Sequence, residues 1–446
     1  MNSRIQLSDH FDNKRIIRFV LPSIIMMFFT SIYSIVDGFF VSNFAGKTPF
    51  AALNLIFPFF MLIGALGFMM GSGGTAVVSR TLGENRKKDA SRYFSLVVYF
   101  TFFVGVIVAL LGFIFLPSVA RLLGAEGRML SECILYGRIV MLTFPAFMLQ
   151  YVFQTFFVAA EKPRLGLAFI IGAGCLNIAL DALFVARFQW GLAGAAAATC
   201  IGQVFAGFGP VIYFFLPNDS LLGLTKTRFY GKVLLKSVIN GSSELMSNVA
   251  DSLVNILYNW QLLKFAGENG VAAYGAIMYI CFISAAVFLG YSMGIAPVVG
   301  YHFGAGNRAE LRNLFRRSMI LTGTAGAIIV ILSEVFAGNI TSIFVGYDED
   351  LRAMTLHGLM IYSLSYILMG FNIFASGFFT ALSDGVTSAI ISFMRALIFE
   401  SAAVIILPMI FGLDGIWSAI IAAESAALTI ATFFMIRKRR VFGYSK

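Results

Sequence analysis

Twelve long apolar runs succeed one another along this 446-residue chain, at roughly 16–42, 50–78, 93–118, 133–159, 165–186, 190–216, 234–263, 271–300, 316–337, 354–380, 386–410 and 413–436. A helix needs about 20 largely apolar residues to cross a bilayer, and each run supplies them or more. Strands of a membrane barrel would read as short alternating segments, which these runs are not. A soluble fold is excluded by the same feature. Only 12% of the residues are charged, against about 25% in a soluble domain. The expectation is an all-α polytopic membrane protein. The first run is too long for the apolar core of a cleaved signal peptide, and no clear processing site follows it. Cys133, Cys175, Cys200 and Cys281 are scattered through apolar sequence and read as small buried hydrophobes.

The basic residues set an orientation. With the N-terminus inside, 24 of the 32 Lys and Arg residues fall in inside segments and 6 in outside ones. This is the positive-inside bias, and it places both termini in the cytoplasm. It also accounts for the net charge of +10. Nucleic-acid binding is disfavoured, because the charges recur at alternate loops instead of forming one surface.

The runs divide into two related sets. Gly74-Thr-Ala-Val-Val leads to Asn85-Arg86, and Gly294-Ile-Ala-Pro-Val-Val leads to Asn307-Arg308. Gly191-Leu-Ala-Gly194 pairs with Gly412-Leu-Asp-Gly415, and all these offsets are 220–222 residues. The expected organisation is an N-lobe at 1–217, a cytoplasmic linker at 218–233 and a C-lobe at 234–446. Each lobe would be a six-helix bundle, the two related by a pseudo-two-fold axis. Parallel repeats of this kind place a substrate path at their interface and suit alternating access.

Ionisable residues within the runs are the strongest functional signals, since lipid tolerates them poorly. Thr30, Tyr33 and Asp37 share a helical face at spacings i, i+3 and i+7. Asn177 and Asp181 lie one turn apart in the fifth run. Two buried carboxyls close together disfavour double ionisation, so they suit a carried proton. Ionised, Asp37 and Asp181 with Asn177 would instead offer hard oxygen ligands to sodium. Asn240, Glu244, Asn248, Asp251 and Asn255 form one polar face along the seventh run. That face suits a cavity wall, drawing a cationic substrate or a second coupling cation. Gln150, Tyr151 and Gln154, with Tyr362, Tyr366, Asn372 and Ser376, are candidates for hydrogen bonding or aromatic contact with ligands. Arg395, Glu400 and Glu424 read as structural, interhelical polarity. Met26, Met27, Met61 and Met69 would give an adaptable surface. Gly71, Gly73 and Gly74 read as close helix packing, since no strand–loop–helix setting surrounds them. There is no nucleotide-binding loop with Gly-Lys-Ser/Thr, and neither the three His nor the four Cys form a metal pattern. No enzyme activity or organic cofactor is expected.

Residues across about 12–438 resemble the multidrug and toxic compound extrusion family, MATE. The resemblance rests on Tyr33-Ser-Ile-Val-Asp37-Gly-Phe-Phe, Gly83-Glu-Asn-Arg86, Glu161-Lys-Pro-Arg164, Asn177-Ile-Ala-Leu-Asp181, the stretch Gly191–Thr199, and Gly304-Ala-Gly-Asn-Arg308. It implies two six-helix lobes in a bacterial cytoplasmic membrane. It also implies export of cationic, amphiphilic drugs in exchange for protons or sodium ions, by a protein acting as a monomer. Asp37 matches the acidic residue of the family's first helix. Asn177, Asp181 and Thr199 match its N-lobe polar cluster, and Glu244 the acid that some members carry on the seventh helix. The tenth run departs from the pattern, with Asn372 and no mid-membrane acid. Two rivals have different signatures. A flippase for lipid-linked precursors would favour a strongly basic cavity, and a lipid-modifying enzyme would show a catalytic cluster at a membrane face.

Overall fold

The computed structural model describes residues 5–444, apart from the side chains of residues 31–35. Among the described residues the structure is helical throughout. The first half carries α1 (Asn13–Phe40), α2 (Lys47–Gly83), α3 (Lys87–Leu122), α4 (Gly127–Leu142), α5 (Phe144–Ala159), α6 (Pro163–Asp181) and α7 (Gly191–Phe215). The second half carries α8 (Gly231–Gly304), α9 (Arg308–Val335), α10 (Ala337–Val345), α11 (Glu349–Ser363), α12 (Ser365–Ala381), α13 (Gly385–Phe393), α14 (Glu400–Phe411) and α15 (Leu413–Phe442). Three π-helical turns, Val41–Ala45, Ala182–Arg187 and Met394–Phe399, interrupt the series.

Local chemistry sets the helix ends. Asp12 accepts from the Arg15 N–H at 2.7 Å, Asn307 from Glu310 at 3.0 Å and Asp348 from Leu351 at 3.0 Å. Each satisfies an amide that a helix N-terminus leaves unpaired. Eight helices are long and apolar enough to cross a membrane, and two bent pairs bring the number to ten. One pair is α4 with α5, bent by 58°, and the other α11 with α12, bent by 44°. The sequence signals the first place through Pro145 and gives no proline at the second. At the first, Pro145 removes an amide and crowds the preceding turn, which breaks the helix. At the second, the Ser365 hydroxyl donates to the Tyr362 carbonyl at 2.7 Å and the Ser363 hydroxyl to the Met360 carbonyl at 3.2 Å. Hydroxyls that bond back to their own helix bend it. The 74-residue α8 is itself interrupted at Gly267, whose φ of 61° and ψ of −148° lie outside the helical region.

The halves meet along α2 and α8, with α1 also lying on α8. Their backbones come close where glycine permits it. A Cβ on Gly73 would collide with the Ser237 carbonyl, and one on Gly241 with the Met69 carbonyl. This explains the small residues at 71–74 as packing. The close approach continues to the ends of both helices, where a Cβ on Gly83 would meet the Tyr301 carbonyl and one on Gly304 the Arg80 carbonyl, so this end is closed. The Leu7 N–H donates to Glu161 at 2.6 Å and the Phe11 N–H to Glu310 at 2.9 Å, so the N-terminal segment bridges first-half and second-half loops. Tyr444 packs on Phe315 and Phe378. The linker runs back over the first half, with the Thr225 N–H donating to the Ser95 hydroxyl at 2.9 Å. Much of the Phe content fills the core, as in the stacked pair Phe153 and Phe214 at 5.8 Å.

Candidate functional site: a carboxyl pair and a central cavity

Two polar assemblies lie inside this apolar frame. The first belongs to α1, α4, α6 and α7. Asp181, the last residue of α6, is fully buried, and Asn177 one turn earlier is buried too. Asp37 of α1 brings its carboxyl within hydrogen-bonding reach of the Asp181 carboxyl. Among the described residues, neither oxygen of Asp181 nor either amide atom of Asn177 has a hydrogen-bond partner, and the same holds for Asp37 Oδ1. Two ionised carboxylates have no hydrogen to share. Their closeness therefore calls for a proton on one of them or a cation between them. The π-helical turn begins at Ala182, directly after Asp181. Such turns often occur at functional sites.

Tyr136 of α4 completes the assembly. It is buried and lies close to Thr199 of α7 and to Asp37 and Asp181. Sequence reasoning passes over it, because a tyrosine in an apolar run reads as an ordinary interfacial aromatic. Asn177 and Thr199 also line a small cavity of about 290 Å³ with Gln150 and Gln203. Gln150 thus stands with the carboxyl-pair assembly. The side chain of Tyr33 lies outside the described residues.

The second assembly surrounds a central cavity of about 650 Å³ between α2, α5, α8 and α12. Its wall includes Glu244, Asn372 and Arg395, with the hydroxyls of Ser72, Thr75, Thr155, Ser247, Ser292, Ser376, Thr380 and Ser392. These hydroxyls bond among themselves. Thr75 donates to Thr155 at 3.0 Å, and Ser376 is 2.8 Å from both Ser388 and Ser392. Glu244 shares this cavity wall with Ser72 of the first half. Behind the wall, Arg395 Nη1 donates to Glu424 Oε1 at 3.3 Å, and Asn372 Nδ2 donates to Glu424 Oε2 at 2.6 Å. Asp251 and Glu400 also act on the Arg395 charge. Buried Glu424 and the more accessible Glu244, Asp251 and Glu400 of the second half therefore all act on one internal cation.

The remaining candidates have humbler surroundings. The Asn248 and Asn255 amides donate to backbone carbonyls one turn earlier at 2.8 Å, and Asn255 also accepts from the Tyr274 hydroxyl at 3.1 Å. Asn240 accepts from the Gly385 N–H at 3.1 Å, fixing α8 to the start of α13. Gln154 is buried in α5, and Tyr366 is fully buried in the second-half core against Tyr362. The long polar face of α8 is thus split between a cavity wall at Glu244 and helix–helix bonding at both ends.

The chain is 24% identical over 429 residues to the multidrug export protein MepA of Staphylococcus aureus strain MSSA476, covering 96% of this chain and 94% of that one. MepA of Staphylococcus saprophyticus is 24% identical with the same coverage. Among solved structures, MATE in complex with MaL6 superposes with a TM-score of 0.93 at 22% identity, with both chains fully covered. The outward-facing conformation of a multidrug resistance MATE family transporter of the MOP superfamily superposes with a TM-score of 0.92 at 22% identity, again over both whole chains. The MatE family pattern itself matches residues 22–183 and again residues 245–404, one stretch in each half, the first including Asp37, Asn177 and Asp181 and the second Asn372 and Arg395. On that match over most of its length, the chain belongs to the MatE family.

Proposed function

We propose that this protein is a secondary active exporter of cationic, amphiphilic compounds, driven by inward movement of protons or sodium ions. The observation that carries the reading is the carboxyl pair of half-buried Asp37 and buried Asp181, two acids close enough to interact, with neither Asp181 oxygen met by a donor among the described residues. Such a pair gains or loses a proton, or a cation, only with a change in its surroundings, which is what coupling to a conformational cycle requires. The central cavity, walled by hydroxyls and Glu244, is the substrate site. The MepA relatives are named as multidrug exporters, in keeping with this reading.

The helices described are compatible with a twelve-span arrangement. Counting α8 as two spans either side of Gly267, and α1 as a further span, raises ten to twelve. Six would belong to each lobe, at 1–217 and 234–446, joined by the 218–233 linker. The two MatE matches support this division. The basic-residue bias places both termini in the bacterial cytoplasm. The protein acts as a monomer, without nucleic acid or an organic cofactor.

The deciding experiment is reconstitution in lipid vesicles. A pH gradient and a sodium gradient are imposed separately, and movement of a fluorescent cationic dye is recorded. Movement under one gradient identifies the coupling ion. No movement under either would sink the exporter reading.

A further inference from the structure

We propose that the cavity between the starts of α1 and α6 holds the phosphate headgroup of an anionic phospholipid, with Arg18 and Arg164 as its two cationic contacts. The inference goes beyond the export reading and is independent of the coupling ion.

The cavity has a volume of about 1140 Å³ including its open mouth, and it shares no lining residue with the central cavity or with the small one beside Asn177. Its wall carries the cations Arg18, Lys162 and Arg164 and the acids Glu161 and Asp219. Both acids are already engaged. Asp219 pairs with Lys162 at 2.5 Å, and Glu161 accepts from the Leu7 N–H at 2.6 Å. Arg18 and Arg164 are exposed and have no ion pair or side-chain hydrogen bond among the described residues. Two guanidinium groups from different helices therefore line one cavity with the local carboxylates taken. Each has five N–H donors and no acceptor. That fork suits phosphate oxygens, and an anion between two cations relieves their repulsion.

The apolar surroundings say which anion. Phe19, Pro22 and Leu165 are part of the same wall. Leu21 and Ile25 follow Arg18 at i+3 and i+7, on the same face of α1, and are 45% and 38% exposed. Along α6, Ala168 is exposed one turn after Arg164. The two helices pack on each other, so closely that a Cβ on Gly174 would collide with the Phe29 ring. An exposed apolar track thus leads away from each arginine along neighbouring helices. A soluble phosphate would meet the arginines and leave the track uncovered. A phospholipid uses both, with its headgroup at the arginines and an acyl chain along the track. Both helices begin at the end that the basic-residue bias assigns to the cytoplasm, so the lipid comes from the cytoplasmic leaflet. Basic pockets between membrane helices on that side suit anionic headgroups. The bound lipid would join the helix that carries Asp37 to the helix that carries Asp181.

The test mixes the purified full chain in detergent with equal amounts of phosphatidylglycerol and phosphatidylcholine bearing the same acyl chains. The choline cation offsets its own phosphate, so the two lipids differ in net charge. Native mass spectrometry counts the lipids retained. The wild type is expected to keep one phosphatidylglycerol in about tenfold preference. Arg18→Gln with Arg164→Gln should lose that preference. Arg312→Gln with Arg316→Gln, which removes two exposed cations of α9 outside the cavity, should keep it. No preference in the wild type would overturn the proposal, and that measurement needs no variant to fold. An equal loss in the α9 variant would overturn it too, by reducing the effect to general surface charge. Excess glycerol phosphate separates the two sources of phosphate. It should leave the lipid bound, and displacement would assign the cavity to a soluble phosphate compound instead.

Discussion

At the scale of single residues, the chemistry concentrates in Asp37 and Asp181. Replacing either carboxyl by a carboxamide keeps its shape and removes its ability to hold a proton or neutralise a cation. Asp181→Asn and Asp37→Asn are expected to abolish gradient-driven dye movement in vesicles while the protein still unfolds cooperatively in detergent. Normal transport by both variants would remove the pair from the coupling step. Tyr136→Phe should act more mildly, because Thr199 and the acids stay in place. A several-fold higher ion concentration for half-maximal transport is expected, with little change in maximal rate. The acids were legible in the sequence because charge is so scarce in apolar runs that each one stands out. Tyr136 was not, since a phenol is common there and only the fold brings it from α4 to Thr199 on α7. For Arg395 the sequence indicated interhelical polarity but not the partner, and the acid it bonds is Glu424 on another helix.

At the scale of helices, existence was legible and shape was not. A run of about 20 apolar residues must be satisfied internally in lipid, and the helix does this regardless of its neighbours. Bends depend on finer chemistry. Pro145 was a visible signal for the break between α4 and α5. The serine hydroxyls between α11 and α12 bend that span without any proline. The nine-residue α10 was hidden because it continues the ninth run after a single turn residue. The glycines of α2 gave the opposite lesson, for small residues in a membrane helix announce close backbone approach. At Gly73 that approach is to the Ser237 carbonyl of α8. Gly73→Leu should therefore part these helices and lower stability by at least about 1–3 kcal/mol, read as a lower unfolding temperature in detergent. An unaltered unfolding temperature would mean that the α2 and α8 contact gives way cheaply.

At the scale of the whole molecule, a transporter must break its closed end in part of its cycle, so the contacts there set the balance between states. The N-terminal segment is tied to both halves. Glu161, between α5 and α6, accepts from Leu7, while Glu310, in the first turn of α9, accepts from Phe11 and contacts His10 Nδ1 at 2.6 Å. Asn313 adds a 2.8 Å bond that steadies the same carboxylate. This tie was not legible beforehand, because backbone amides carry no side-chain signature and the two acids lie far apart in the chain. Removing both acceptors in Glu161→Ala with Glu310→Ala would leave the Leu7 and Phe11 amides without their partners, at a cost of about 1–3 kcal/mol for each amide that stays buried. That loss falls on the closed arrangement alone, since opening this end separates the same groups anyway. Spin labels on Lys88 and Arg316, flanking the closed end on opposite halves, should then show a longer distance population that is weak in the wild type. A distance distribution identical to that of the wild type would assign the closure to the α2 and α8 glycine contacts and leave the N-terminal segment a passive cover.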